Sequence, residues 1–317
     1  MIPLEDVVAA RQRIAPFVKR TPLFRSRTLS ERFGTNVYIK AELLQVTGSF
    51  KPRGAFNQLM ALSDEQRSHG VVGISGGNFA QGMAHAASTL EVDCVIVMPE
   101  STPANYVEAT KGYGASVVLE PDIASSFEKY EELAEQGRTA VHPFDNPAMQ
   151  AGNGSLGLEV VEDVPDVTDV FISVGGGGFI AGVASAILGL QPGVRIWAVE
   201  TEGADVLARS LAAGRPVEMN PTSLAKTLGS PFLAPAAFEL ATAHFHRSIV
   251  VSDAEAYHAL RFILERTKLL PELAASCTLA AMEKHADAFA PEAHVVLVLC
   301  GGNVSVDDLA AYREAFG

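Results

Sequence analysis

The feature that most constrains the fold is an alternation. Short apolar runs rich in β-branched residues occur at Val71–Ile74, Val92–Met98, Ser116–Leu119, Val170–Val174, Ile196–Val199, Ile249–Val251 and Val295–Leu299. Around them lie segments with helical patterning: Pro52–Leu62, Phe79–Thr89, Pro103–Tyr113, Ser125–Gln136, Ser155–Val161, Phe179–Leu188, Asp205–Ala213, Asp253–Thr267, Glu272–His285 and Val306–Ala315. Strands bounded by turn residues and followed by helices imply βαβ units, and near-continuous apolar strands imply a parallel sheet covered on both faces. The class is α/β. Two glycine-rich strand ends, near residues 75 and 175, each open a helix. The expected architecture is two open, mostly parallel twisted sheets with flanking helices and a ligand in the cleft between them, outside the carboxyl ends of the strands.

One stretch imitates a membrane span. Val170–Leu190 runs 21 residues without a charge, long enough to cross a bilayer. Four consecutive glycines inside it argue for a buried strand, turn and helix instead. The remaining composition narrows the partners. With 24 Lys and Arg against 37 Asp and Glu the net charge is −13, and no basic run offers a footprint for nucleic acid or an anionic membrane. Neither partner is expected. Three widely spaced cysteines, Cys94, Cys277 and Cys300, form no CxxC pair, so a disulfide framework or zinc cluster is not indicated and a cytoplasmic setting is expected. The N-terminus meets acids before any apolar core, unlike a signal peptide.

Four segments carry chemistry. In Thr47-Gly48-Ser49-Phe50-Lys51-Pro52-Arg53-Gly54 a lysine sits at a loop-to-helix junction, where Pro52 suits the first helical position. Such a pinned amine can serve as a Schiff-base nucleophile if burial lowers its pKa; an exposed lysine at a helix start is the plainer reading. Ser75-Gly76-Gly77-Asn78-Phe79 follows a strand, and its small residues let backbone N–H groups approach an anion such as a carboxylate, with Asn78 as a further donor. A tight turn with an N-cap is the structural alternative. Gly175-Gly176-Gly177-Gly178-Phe179 presents backbone donors at a helix start, suited to phosphate, yet matches neither G-x-G-x-x-G nor GxxxxGK[ST]. Last, Cys300 in Leu299-Cys300-Gly301-Gly302-Asn303 closes a strand and points a small thiol toward the same cleft or into the core.

Taken together, the four segments resemble the pyridoxal 5′-phosphate-dependent threonine/serine dehydratase and serine racemase family, of the tryptophan synthase β-like fold (fold type II). The likeness runs from Arg20-Thr21-Pro22-Leu23 through Val141-His142-Pro143-Phe144-Asp145 to Asn303. It implies that Lys51 bonds the cofactor and removes the α-proton, that Phe50 packs at the cofactor ring, and that Asn78 bonds the ring hydroxyl. It implies further that Gly175, Gly176, Gly177, Gly178 and Phe179 hold the phosphate, that Cys300 faces the pyridine nitrogen and that Glu272 lines the same wall. Ser75, Gly76, Gly77 and Phe79 would face the amino-acid substrate. The implied division is a large cofactor-binding domain of residues 1–49 and 146–317 and a small mobile domain of residues 50–145, in a homodimer. A thiol in place of a carboxylate at the ring nitrogen makes a weaker electron sink, which favours rapid loss of a β-substituent over a long-lived carbanion. The activity implied is α,β-elimination from a β-hydroxy amino acid to a 2-oxo acid and ammonia. Fourteen residues follow Asn303, so the regulatory domain of biosynthetic threonine dehydratases is not expected.

The chain departs from the family pattern at several positions. Gly76 replaces the second serine, the base on the opposite ring face in serine racemases, so racemisation is disfavoured. Phe79 replaces a histidine and adds apolar bulk, which extends the candidate substrates from threonine and serine to larger β-hydroxy amino acids. Asn153 stands for the usual glutamine. Glu200 and Ala204 match two cation ligands of the family, but Val206 stands where a second acid belongs, and Glu202 and Asp205 read as surface acids; no metal is assigned. Two other functions fit the same residues: β-replacement by an added nucleophile, and a non-catalytic cofactor-binding protein, against which the retained Lys51 argues.

Overall fold

The computed structural model describes residues 1–317. Its ten strands are β1 (Leu23–Arg25), β2 (Asn36–Ala41), β3 (Val71–Ile74), β4 (Cys94–Pro99), β5 (Ser116–Glu120), β6 (Thr139–Ala140), β7 (Asp169–Ser173), β8 (Arg195–Thr201), β9 (Arg247–Val251) and β10 (His294–Leu299). They form two sheets, ordered β1-β2-β10-β7-β8-β9 and β5-β4-β3-β6. Every pairing is parallel except β1 with β2. The expected α/β class with two mostly parallel sheets is what the structure has. All seven expected strands are present, shifted at their ends by a residue or two.

The uncharged run Val170–Leu190 divides into most of β7, a glycine turn and the helix Gly178–Leu190. No helix is long and apolar enough to cross a membrane. The larger core lies about the six-stranded sheet, where the helix Leu273–Lys284 crosses β7 to β10. A second core lies under the four-stranded sheet, and Ile14 and Met149 pack into it from outside residues 50–145.

The elements missing from the sequence reading have physical reasons. β2 carries Lys40, fully buried and bonded to Glu159, so its pattern reads as polar where the strand is internal. β1 and β6 are three and two residues long. The helices Leu4–Ile14, Arg27–Phe33, Asp64–Ser68 and Pro235–His244 were likewise not anticipated. Ser155–Val161 is the middle of a 17-residue helix, Pro147–Asp163. Its glycines argue locally against a helix, but they permit close packing on Gly178–Leu190. A Cβ on Gly157 would stand 2.5 Å from the Val183 carbonyl, and one on Gly182 would stand 2.0 Å from the Gln150 carbonyl. Tertiary packing overrides propensity here.

Candidate active site

The site is built from strand ends. β10 terminates at Leu299, and the next residues fold onto the segment before Lys51: the Phe50 amide donates to the Cys300 carbonyl at 3.0 Å, and Ser49 bridges Gly301. Lys51 itself opens the helix Lys51–Met60, with Pro52 second and not first as the sequence suggested. Two residues on, Arg53 is fully buried and locks this helix to the large sheet. Its Nε donates to Glu42 Oε2 at 2.8 Å, Nη1 to Glu159 Oε1 at 2.8 Å, and Nη1 also to Ser155 Oγ at 3.0 Å. Lys40 pairs with the same Glu159. Two cations and two anions thus share one dry cluster, which is tolerable only because each charge is paired and hydrogen-bonded. Its effect is to fix the first turn of the helix, and with it the lysine.

The Lys51 amine lies 5.0 Å from the centroid of the Phe50 ring and 5.7 Å from that of Phe79. Burial pushes its pKa down to about 8, against the opposing pull of Cys300 and Glu272. The exposed helix-start alternative is therefore set aside for this residue. Phe79, expected from the resemblance to face the substrate, is instead 2% exposed and packs in the core under the four-stranded sheet, its ring beside the amine, because the apolar ring is buried with the helix that Asn78 opens. Phe50 stacks on Phe179 with centroids 3.8 Å apart. Phe179 thereby supports the aromatic floor, while its backbone belongs to the glycine-loop helix.

Gly175–Gly177 turns the chain from β7 into that helix, with Gly177 at the N-cap position and φ +88°. No side chain caps the first turn, so its N–H groups are suited to an anion. A Cβ on Gly177 would lie 2.4 Å from that of Ala237, and one on Gly176 would lie 2.5 Å from the Phe144 ring. The loop is threaded between neighbours that leave no room for side chains.

Asn78 begins the helix Asn78–Thr89 after β3, and Gly77, without a side-chain bond, is its N-cap. Its Nδ2 donates to both oxygens of Glu272, at 2.9 and 3.1 Å, and Thr227 Oγ1 donates to Glu272 Oε1 at 3.0 Å. Glu272 precedes the helix Leu273–Lys284. Burial raises its pKa to about 7, opposed by the Asn78 and Thr227 bonds and by Lys51. Cys300 accepts a bond from Ser173 Oγ at 3.3 Å, and burial pushes its thiol up to about 12. It is neutral at any ordinary pH. Ser75 Oγ accepts from the Gly77 amide at 3.1 Å, and the missing side chain of Gly76 faces Thr102, whose Oγ1 would lie 2.7 Å from a Cβ there.

Glu200 lies apart from these groups. Both its oxygens accept backbone amides, from Leu207 and Ala208 at 2.8 Å, and burial raises its pKa to about 8. Asp205 pairs with Arg209 at 3.0 Å and Glu202 is exposed. No three His, Cys, Asp or Glu residues are grouped to hold a metal. Asn303, Thr227, Thr102 and Tyr106 were not assigned from sequence. Asn303 lies inside one of the four segments; Tyr106 lies in the expected helix Ala104–Gly112 and Thr102 and Thr227 in turns remote from those segments, and none of the three carries a signal of its own.

These residues fit pyridoxal phosphate on structural grounds: an uncapped glycine loop, a desolvated amine, and buried hydroxyls of Thr47, Ser49 and Thr102 that have no partner in the protein. Comparison with known proteins agrees. Residues 14–301 match the family described as pyridoxal-phosphate dependent enzyme. The chain is 40% identical over 311 residues to an L-threonine ammonia-lyase of Thermotoga maritima, covering 97% of this chain and 77% of that one. It is 38% identical to a catabolic L-threonine dehydratase of Staphylococcus aureus, with 99% of this chain and 92% of that one covered. The structure of maize serine racemase superposes with a TM-score of 0.92 at 31% identity, over 98% of this chain and 97% of the other. The chain belongs to the pyridoxal-phosphate dependent enzymes, on their threonine/serine dehydratase and serine racemase branch, and is a lyase that uses pyridoxal 5′-phosphate.

Proposed function

We propose that this lyase eliminates water from a β-hydroxy amino acid, with threonine and serine as the first candidates, and releases a 2-oxo acid and ammonia. The water lost in elimination is regained in hydrolysis, so the overall change is deamination. Bound in the cleft, pyridoxal phosphate supplies the electron sink that acidifies the α-carbon. The carrying observation is the Lys51 amine, sunk in the cleft beside Phe50 and Phe79, pinned by the Arg53 cluster and displaced to a pKa of about 8. An amine so placed exchanges a proton near neutral pH, as a general base must.

The other residues follow from their settings. Gly175–Gly178 hold the phosphate through backbone N–H groups, Phe50 packs at the ring, and Asn78 donates to the ring oxygen. The neutral Cys300 thiol faces the ring nitrogen with Glu272 on the same wall, and residues 75–77 hold the substrate. Gly76 offers no base on the opposite face, which favours elimination over racemisation. Residues 50–145 act as a small domain that moves against a large one of residues 1–49 and 146–317. The three cysteines are buried and unpaired, which suits a reducing cytoplasm, and a homodimer accords with the family resemblance.

The test is to reconstitute the protein with pyridoxal phosphate and assay threonine, serine and larger β-hydroxy amino acids for 2-oxo acid. Threonine or serine is expected to yield 2-oxo acid and ammonia in equal amounts. Lys51→Ala is expected to fold and to lose turnover. A protein that takes up no cofactor, or a Lys51→Ala variant that retains turnover, refutes the reading.

A further inference from the structure

Asn303, just beyond β10, has a side chain held by two hydrogen bonds in the cleft. Gly48, at φ +71°, leaves its socket open: a Cβ there would stand 2.4 Å from Asn303 Oδ1. From that socket Asn303 Nδ2 donates to the Thr47 carbonyl and to Asn78 Oδ1, each at 2.8 Å. The Thr47 carbonyl can only accept, so the Asn303 amide faces one way and turns its second N–H to the Asn78 oxygen. Its backbone is held as well, since the Tyr106 hydroxyl donates to the Asn303 carbonyl at 2.5 Å. Asn78 and Tyr106 belong to helices of the four-stranded layer, whereas Asn303 follows the six-stranded sheet. These bonds therefore join the two layers across the cleft.

The consequence falls on Asn78. With its oxygen occupied by Asn303, its amino group turns to Glu272. Glu272 alone fixes that orientation less firmly near neutrality, because its carboxyl, raised to about 7 by burial, only accepts in the base form but carries an O–H donor as well as an acceptor oxygen in the acid form. Asn303 cannot change sign in this way.

We propose that Asn303 is a positioning residue: it holds the Asn78 amide with its N–H donors toward Glu272 and toward the cofactor's ring oxygen. The assignment rests on the reading of Asn78 as a cofactor contact. Asn303→Asp is the informative change, since it keeps the shape and replaces both donors by acceptors. Asn78 then meets an acceptor at its own oxygen and is driven to flip.

The experiment is a fluorescence titration of the apoprotein with pyridoxal phosphate, with the visible spectrum of the bound cofactor recorded alongside. Asn303→Asp is expected to weaken binding about tenfold to a hundredfold, the scale of a buried hydrogen-bonding group left without its partner, and to shift the spectrum. Asn303→Ala is expected to weaken it less, although a merely space-filling role requires the reverse order. In an Asn78→Ala background the Asn303→Asp change is expected to have no further effect. Wild-type affinity and spectrum in Asn303→Asp, Asn303→Ala being the worse variant, or effects that add to Asn78→Ala, overturn the inference alone. Wild-type protein that binds no pyridoxal phosphate overturns the cofactor reading and this inference with it.

Discussion

Replacing Lys51 by methionine should stabilise the cofactor-free protein at neutral pH. The lysine is partly exposed, but its amine is sunk among protein atoms, and its pKa falls from an ordinary 10.5 to about 8, chiefly because desolvation penalises the ammonium. At about 1.4 kcal/mol per pKa unit, the native state bears up to about 3 kcal/mol for keeping that charge. The sign follows from proton binding. Between about pH 8 and 10.5 the unfolded chain holds a proton that the native state has released, so native stability climbs with pH through this window. Below it the full penalty persists. Methionine fills similar volume without charge, so the variant keeps the apolar contacts and loses the penalty. With an unfolding entropy of about 0.7 kcal/mol/K for 317 residues, the gain corresponds to roughly 4 °C in the melting midpoint at pH 7. Calorimetry or circular dichroism of the two apoproteins, at pH 7 and at pH 10, measures it. The variant should melt higher at pH 7 and the difference should narrow at pH 10. A variant that melts at or below wild type at pH 7, or a wild type indifferent to pH over that window, refutes the reasoning.

Three further outcomes are expected. Arg53→Met leaves Glu42 and Glu159 buried with Lys40 as their one remaining cation, and should cost about 3–5 kcal/mol of stability in denaturant unfolding; a loss under about 1 kcal/mol contradicts the importance given to the cluster. Gly177→Ala meets both a φ of +88° and a Cβ 2.4 Å away on Ala237, so pyridoxal phosphate affinity should fall at least about tenfold in a fluorescence titration. Gly76→Ser brings a Cβ to 2.7 Å from Thr102 Oγ1, and kcat/KM should fall about tenfold as in other overpacked sites. Adding Thr102→Ala should recover most of that loss, and equal activity of the single and double variants shows that the contact does not matter.

Much of this protein is legible because its central strands, β3, β4, β7, β8 and β10, are buried on both faces. Such strands show as continuous apolar runs, and each expected run became a strand. Where a strand or helix hides a charge or a glycine for a tertiary reason, the local signal misleads. Lys40 sits inside β2 because Glu159, 119 residues away, receives it, and the glycines of Pro147–Asp163 serve a neighbouring helix. The site divides in the same way. Asn78, Cys300 and the glycine run lie in motifs at strand ends, so their proximity follows from the α/β pattern, while Lys51 opens a helix ten residues beyond β2 and is brought to them by the bonds of Phe50 and Ser49 to Cys300 and Gly301. Thr227 and Thr102 lie in loops whose destination no local pattern encodes. Asn303 lies in a motif, but its function depends on an amide partner 225 residues away.

The sequence alone determined the class, the strand-end location of the site and the kinds of group gathered there, because periodicity and short motifs are local properties of the chain. Only the tertiary structure decided what those groups are. The Lys51 amine is lowered to a pKa of about 8, the Cys300 thiol raised to about 12 and the Glu272 carboxyl raised to about 7, because desolvation sets each pKa and is made by residues from every part of the chain. The same holds for charge. A chain of net charge −13 still has, at the glycine loop, uncapped backbone N–H groups at a helix start that suit an anion, a local field that total charge does not describe.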